Sequence, residues 1–169
     1  MKISPYLLFF TVFFAGGCQS IPGNPNPAAK SDVTVNFEES DKYTDVRDSV
    51  SGPTSQYYLD EIGKYLKGIA AERLTAGQKL VVTFTDIDLA GDITPGQLND
   101  IRIIKAIYMP RMTLRFQLFD AGGAVIKEGE RRLTDMDFQQ NGNIIGRGEP
   151  LYYDKALIAD WVRREFKPL

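Results

Sequence analysis

Residues 111–119 read Arg-Met-Thr-Leu-Arg-Phe-Gln-Leu-Phe, a strict alternation that sends Met112, Leu114, Phe116 and Leu118 to one side. A half-buried β-strand has that period of two. Asp120-Ala121-Gly122-Gly123 follows as a hairpin turn, and Ala124 to Leu133 is expected to return antiparallel. A loop that sets Leu118 opposite Val125 would bring Arg115 across from Glu128 on the outer surface, a pair worth about 0.2–1 kcal/mol. A sheet with one apolar face needs a cover, and the rest of the chain must supply it.

Two segments have the period of a covering helix. Pro53 and Thr54 announce the first, in which Tyr58, Leu59, Ile62, Tyr65, Leu66, Ile69 and Ala70 form an apolar stripe that ends near Leu74, with Gly77 as the stop. Its other face mixes Asp60, Glu61, Lys64, Lys67 and Glu72 without a basic bias, so the stripe reads as core packing and not as a membrane-surface helix. The second helix starts at Pro150 or Asp154 and carries Leu157, Ile158, Trp161, Val162 and Phe166 on one face. Arg163, Arg164 and Lys167 suit the negative end of its dipole.

Further strands are expected at Val33-Thr34-Val35-Asn36-Phe37 and from Lys79 to about Thr85, the latter with Leu80, Val82 and Phe84 inward. An acidic turn, Asp86 to Asp92, comes next, and Ile101 to Tyr108 is β-rich without a clear period. Pro110 holds Met109 extended. A Gly- and Asn-rich loop is expected from Gln139 to Gly148. The fold class predicted is α+β: a mainly antiparallel sheet of four or five strands with both helices packed on one face. With 43% hydrophobic and 11% aromatic residues, the 169-residue chain has enough apolar material for one core.

The start of the chain is an export address. Lys2 is followed by the apolar run Ile3 to Phe14, too short to span a bilayer, and by Ala15, Gly16 and Gly17 before Cys18, the only cysteine. Ala15-Gly16-Gly17-Cys18 resembles a bacterial lipoprotein cleavage box, although Ala15 stands where Leu is usual and equally suits an ordinary signal peptidase. The division expected is a signal peptide over 1–17, a lipidated Cys18 with a flexible Pro-rich tether over 18–32, and one globular domain over 33–169. The resemblance implies several acyl chains on Cys18, which stable anchoring requires, and Gln19 leans toward the outer membrane. An unmodified Cys18 on a soluble periplasmic protein is the other reading. Removing residues 1–17 takes away Lys2 and no acid, so the net charge falls from -2 to -3, and no nucleic acid partner is implied.

Chemistry is bounded by absence. With no histidine in the sequence, Ser-His and Cys-His nucleophile pairs, His-ligated zinc and an imidazole general base are excluded. Carboxylates remain. Read as a calcium loop, Asp86, Asp88 and Gly91 fill positions one, three and six, but Ala90 and Gln97 stand where an oxygen ligand and a bidentate Glu belong. Asp86, Asp88 and Asp92 therefore read first as strand-terminating residues that bond turn amides, with metal binding as the lesser alternative. Asp86, Asp88, Asp135 and Asp137 are the carboxylates that a glycoside hydrolase would draw on. Tyr152 and Tyr153 read as packing around a core Trp161 and not as a sugar platform. No cofactor is expected.

Several segments resemble a proteobacterial envelope family known as domain of unknown function 3016. They are Asp41-Lys42-Tyr43-Thr44-Asp45, Thr85 to Gly91, Ile107-Tyr108-Met109-Pro110-Arg111, Glu128 to Met136 and Asp160 to Phe166. The resemblance spans about Val33 to Phe166 and implies an envelope location but no activity. The function expected is a non-catalytic binding or scaffolding domain of an envelope lipoprotein, facing the periplasm and engaging an envelope protein or glycan. A carboxylate-dependent hydrolase of envelope glycans is the alternative.

Overall fold

The computed structural model describes residues 31–96, 99–141 and 148–166. The leader, Cys18 and all of the tether before Ser31 lie outside the described residues, as do Gln97, the core of the loop at 142–147 and Lys167. The elements are β1 (Asp32–Phe37), α1 (Gln56–Ala71), β2 (Lys79–Asp88), β3 (Asp92–Thr94), β4 (Ile101–Ile103), β5 (Arg111–Phe119), β6 (Val125–Thr134), α2 (Phe138–Asn141) and α3 (Tyr152–Glu165). A single 3-10 turn, Ser40–Lys42, follows β1.

The main sheet has four strands in the order β1-β2-β5-β6. It is mixed, which corrects the mainly antiparallel sheet expected from the sequence: β1 runs parallel to β2, and only the β2-β5 and β5-β6 pairs are antiparallel. The cause is α1. A strand, a covering helix and a second strand in the same sheet form a crossover, and a crossover returns the chain in the parallel sense. β3 and β4 make a separate two-stranded antiparallel sheet, where the sequence showed only an ambiguous β-rich run.

Leu80, Val82 and Phe84 of β2 and Met112, Leu114, Phe116 and Leu118 of β5 point into one core with both long helices. Helix α1 sits over β1, where Gly63 faces the rings and methyls of Phe37 and Val35, and Phe37 stacks on Phe84 with centroids 5.5 Å apart. Lys155 of α3 reaches Glu61 of α1 at 2.7 Å and ties the two helices together. Trp161 is buried and meets Phe116 and Phe166 edge to face at 5.8 and 5.6 Å. Its indole N–H has no acceptor among the described residues.

Of the opposing positions of β6 only Leu133, across from Met112, is an apolar core residue. Lys127, Gly129 and Arg131 pair with Leu118, Phe116 and Leu114, and Arg131 lies over the Phe116 ring, Lys127 over that of Phe166. Glu165, at the end of α3, takes two bonds from Arg131, at 2.7 and 3.0 Å, and one ion pair from Lys127. These cations hold its carboxyl down at about 2. Long cationic stems thus close the core edge with their charges answered by one carboxylate.

The hairpin lies where the alternation put it, with Asp120 accepting from the Gly122 and Ala124 amides across the turn. Its register differs from expectation. Phe119 pairs with Val125, Ile126 is an extra residue, and Leu118 therefore faces Lys127 instead of Val125. Arg115 stands opposite Glu130, not Glu128, and bonds Glu38 beyond the end of β1. Glu128 is bonded by Gln117 at 2.9 Å. The turn pairs Phe119 with Val125, one residue later than expected, and the bulge at Ile126, invisible in the alternation, adds a second, so the pairing moves by two.

Trp161→Ala is expected to cost about 3–5 kcal/mol, a large share of a domain's net roughly 5–15. The exposed Arg163→Ala should stay within about 0.5 kcal/mol. Urea unfolding monitored by circular dichroism checks both, and a Trp161→Ala loss below about 1 kcal/mol would contradict the core assignment.

Candidate functional site

A polar site built from several chain segments lies at the end of the sheet where β2 finishes and β5 begins. β2 does not stop at Thr85: it runs through Asp88, with Thr85 as one extra residue between the Phe84–Leu114 and Asp86–Thr113 pairs. The expected acidic turn is therefore strand for its first three residues. The bulge changes the phase of the pleat, so that Ile87 goes into the core while Asp86 and Asp88 share the other side. Beside them the chain after β1 comes back to bridge Asp45 with Asp88. Its Tyr43 hydroxyl donates to Phe84 O at 2.8 Å, and burial pushes that phenol up to about 12.

Each acidic residue here has a definite partner. Asp86 accepts from the Thr44 amide at 2.8 Å and from its hydroxyl at 3.0 Å. Asp88 pairs with Arg111 at 3.1 Å, yet burial raises its carboxyl above the usual range despite that cation. Asp45 is bonded by Arg102 of β4 at 2.8 Å, and the same guanidinium donates to the carbonyls of Arg47 at 2.8 Å and Gly91 at 3.3 Å. Arg102 is only 15% exposed, and its Nε has no acceptor among the described residues. Gly91 has φ +86 and a Cβ there would stand 2.7 Å from Ile103 O, so only glycine lets β4 approach.

Under this ring lies Asp154, in the first turn of α3 and 3% exposed. Its Oδ1 accepts from the Ala90 amide at 3.0 Å. Burial pushes it up to about 6, against the pull of that N–H and of Arg102. Above the ring is an open cleft of about 310 Å³ whose walls include Arg47, Ser49, Asp88, Asp92, Tyr108 and Arg111. Three of the segments that carry the family resemblance, 41–45, 85–91 and 107–111, meet here.

The sequence-predicted residues are only partly assembled. Asp86 and Asp88 are neighbours on one side of β2, but Asp92 opens β3 and spends one carboxylate oxygen on the Ile93 amide. Among the described residues no group of three or more acidic side chains is placed to hold a metal ion. Asp88 lines this cleft, whereas Asp135 lines a separate one beside Tyr152 and Tyr153, so the two do not share a cavity. Asp135 also receives the Asp137 amide at 3.0 Å. Tyr153 packs edge to face on Phe138 at 4.9 Å.

Sequence reasoning missed Arg102, Asp45 and Asp154. Asp154 had a signal: it shares the i, i+3, i+4, i+7 stripe with Leu157, Ile158 and Trp161, a position that must be buried if the stripe is. Arg102 had none, since its partners are 55 and 57 residues away.

The Asp154 carboxyl is raised in the folded state relative to its unfolded value near 3.9. Its contribution to stability is therefore fully present below about pH 4 and lost as pH rises through about 6. Relative to Asp154→Asn, which keeps the oxygen facing Ala90, the wild type should gain about 2 kcal/mol between pH 7 and pH 4. Urea titrations at four pH values between these limits read the difference, and parallel profiles would refute the burial assignment.

No curated protein matches the chain. Among solved structures, the PelC dodecamer from Paraburkholderia phytofirmans is similar over 84% of this chain and 89% of that one, at 15% identity and a TM-score of 0.40. A minor lipoprotein from Acinetobacter baumannii is similar over 81% and 89%, at 13% identity and a TM-score of 0.31. The family model described as protein of unknown function, DUF3016, matches residues 31–164, which takes in the elements from β1 to α3, save the last residue of α3, and all the residues of the cleft; the chain belongs to that family.

Proposed function

We propose that the protein is an outer-membrane lipoprotein, held by acyl chains on Cys18, whose domain faces the periplasm as a non-catalytic binding or scaffolding module. The observation that supports the non-catalytic part is the commitment of three carboxylates at this end of the sheet: Asp86 to Thr44, Asp45 to Arg102 and Asp88 to Arg111. A general acid or nucleophile must be able to meet substrate, and these groups already hold neighbouring segments in place. Among the described residues no helix is long and apolar enough to cross a membrane, so attachment in this reading falls to Cys18.

One observation favours the alternative, a hydrolase of envelope glycans. Asp88 and Asp154 are both raised carboxyls next to a cleft, the environment in which catalytic acids are found. Asp154 is sealed beneath the Ala90 amide, which places it out of substrate's reach and argues for a structural role.

Globomycin treatment should cause the uncleaved precursor to accumulate, and Cys18→Ser should release the protein from the membrane fraction. Wild-type protein that stays soluble with a free thiol would refute the anchor. In a deletion strain, Asp86→Asn and Asp88→Asn are expected to restore the wild-type phenotype. Folded variants that fail to restore it would transfer the assignment to the hydrolase.

A further inference from the structure

The end of the molecule that carries β3 and β4 has an apolar rim. Ile107 is 69% exposed and Ile101 59%, and Ile103, Ile104 and Val50 are exposed as well. Val50 and Ile107 line the polar cleft itself, so rim and cleft are continuous. A cluster of exposed aliphatic side chains of this kind marks an interaction surface.

Inside the rim the charges have both signs and spare capacity. Arg47 makes no ion pair among the described residues, its guanidinium donating only to the Thr44 carbonyl at 3.4 Å. Arg111 spends a single nitrogen on Asp88. Asp92 is exposed and among the described residues takes only the Ile93 amide. Guanidinium groups match a phosphate, a carboxylate matches an ammonium, and the isoleucines match acyl chains. A phospholipid with a zwitterionic headgroup has all three.

We propose that this end of the domain docks on a leaflet of zwitterionic phospholipid, with phosphate at Arg47 and Arg111, ammonium toward Asp92, and Ile107 and Ile104 among the outermost acyl carbons. The docking gains its local concentration from the Cys18 anchor and to that extent rests on the reading above. The described chain begins at the opposite end of the sheet, where Asp32 pairs with Lys79. From there to Asp88 the length of β2 is about 30 Å. The chain from Cys18 to Ser31 reaches at most about 45 Å, enough for the far end to come down on the same leaflet. The second contact is then intramolecular, which strengthens a contact that the rim also makes by itself with lipid in excess.

Full-length protein carrying a benzophenone amino acid at position 107, irradiated in cells, tests the contact. Adducts with phospholipid are expected; adducts with a second copy or another protein, or no adduct, overturn the proposal. Exported Cys18→Ser protein should float with phosphatidylethanolamine and phosphatidylcholine vesicles. Ile107→Asp in that background should lower the floated fraction about tenfold with the melting temperature unchanged. Absence of flotation before the second substitution also overturns the proposal. Wild-type protein that is soluble with a free thiol refutes the anchor alone, because the vesicle measurement does not use it. Anchored protein whose residue 107 crosslinks to protein refutes only the docking.

Discussion

One extra residue in β2 organises this molecule. Without Thr85 as a bulge, the pleat that buries Leu80, Val82 and Phe84 would carry Asp86 and Asp88 inward and turn Ile87 out. With it, the strand keeps an apolar face to its end and presents two carboxylates on the other side. Those carboxylates receive the Thr44 amide and the Arg111 side chain, and the bridge from Asp45 to Asp88 then extends the β1 side of the sheet past the end of β1 itself.

Charge closes the fold at both ends of the sheet, in different ways. At one end, Glu165 gathers Arg131 and Lys127 over the Phe116 and Phe166 rings. The cations are partly exposed, and the arrangement covers an aromatic cluster without burying an unpaired charge. At the other end, Arg102 is largely buried and links three chain segments through Asp45, Arg47 and Gly91. Asp154 lies near it and forms no ion pair among the described residues, which explains why burial dominates its titration. The first arrangement is a lid, and the second is an internal cross-link in a chain with only one cysteine.

The fold was legible where a period is strict. The alternation of β5, the stripe of α1 and the face of α3 that bears Trp161 all lie in the core as read. The parallel pairing of β1 and β2 was also within reach, since strand, helix and strand in succession signal a crossover. The bulges at Thr85 and Ile126 were not, because an extra residue leaves composition and local pattern nearly unchanged while it moves the register. The candidate site shows the same limit. Asp86 and Asp88 were picked out as a cluster, but their partners Thr44 and Arg111 lie 42 and 23 residues away.

By itself the sequence determined what has local cause: the strands and helices that carry the apolar core, the turn at Asp120, and the exclusion of histidine chemistry by the absence of the residue. Only the tertiary structure decided which charges meet. Ion pairs such as Arg102 with Asp45, and the bond from the Ala90 amide to Asp154, join segments that no periodicity relates. Their energies arise from separation and desolvation in space, and neither is written along the chain.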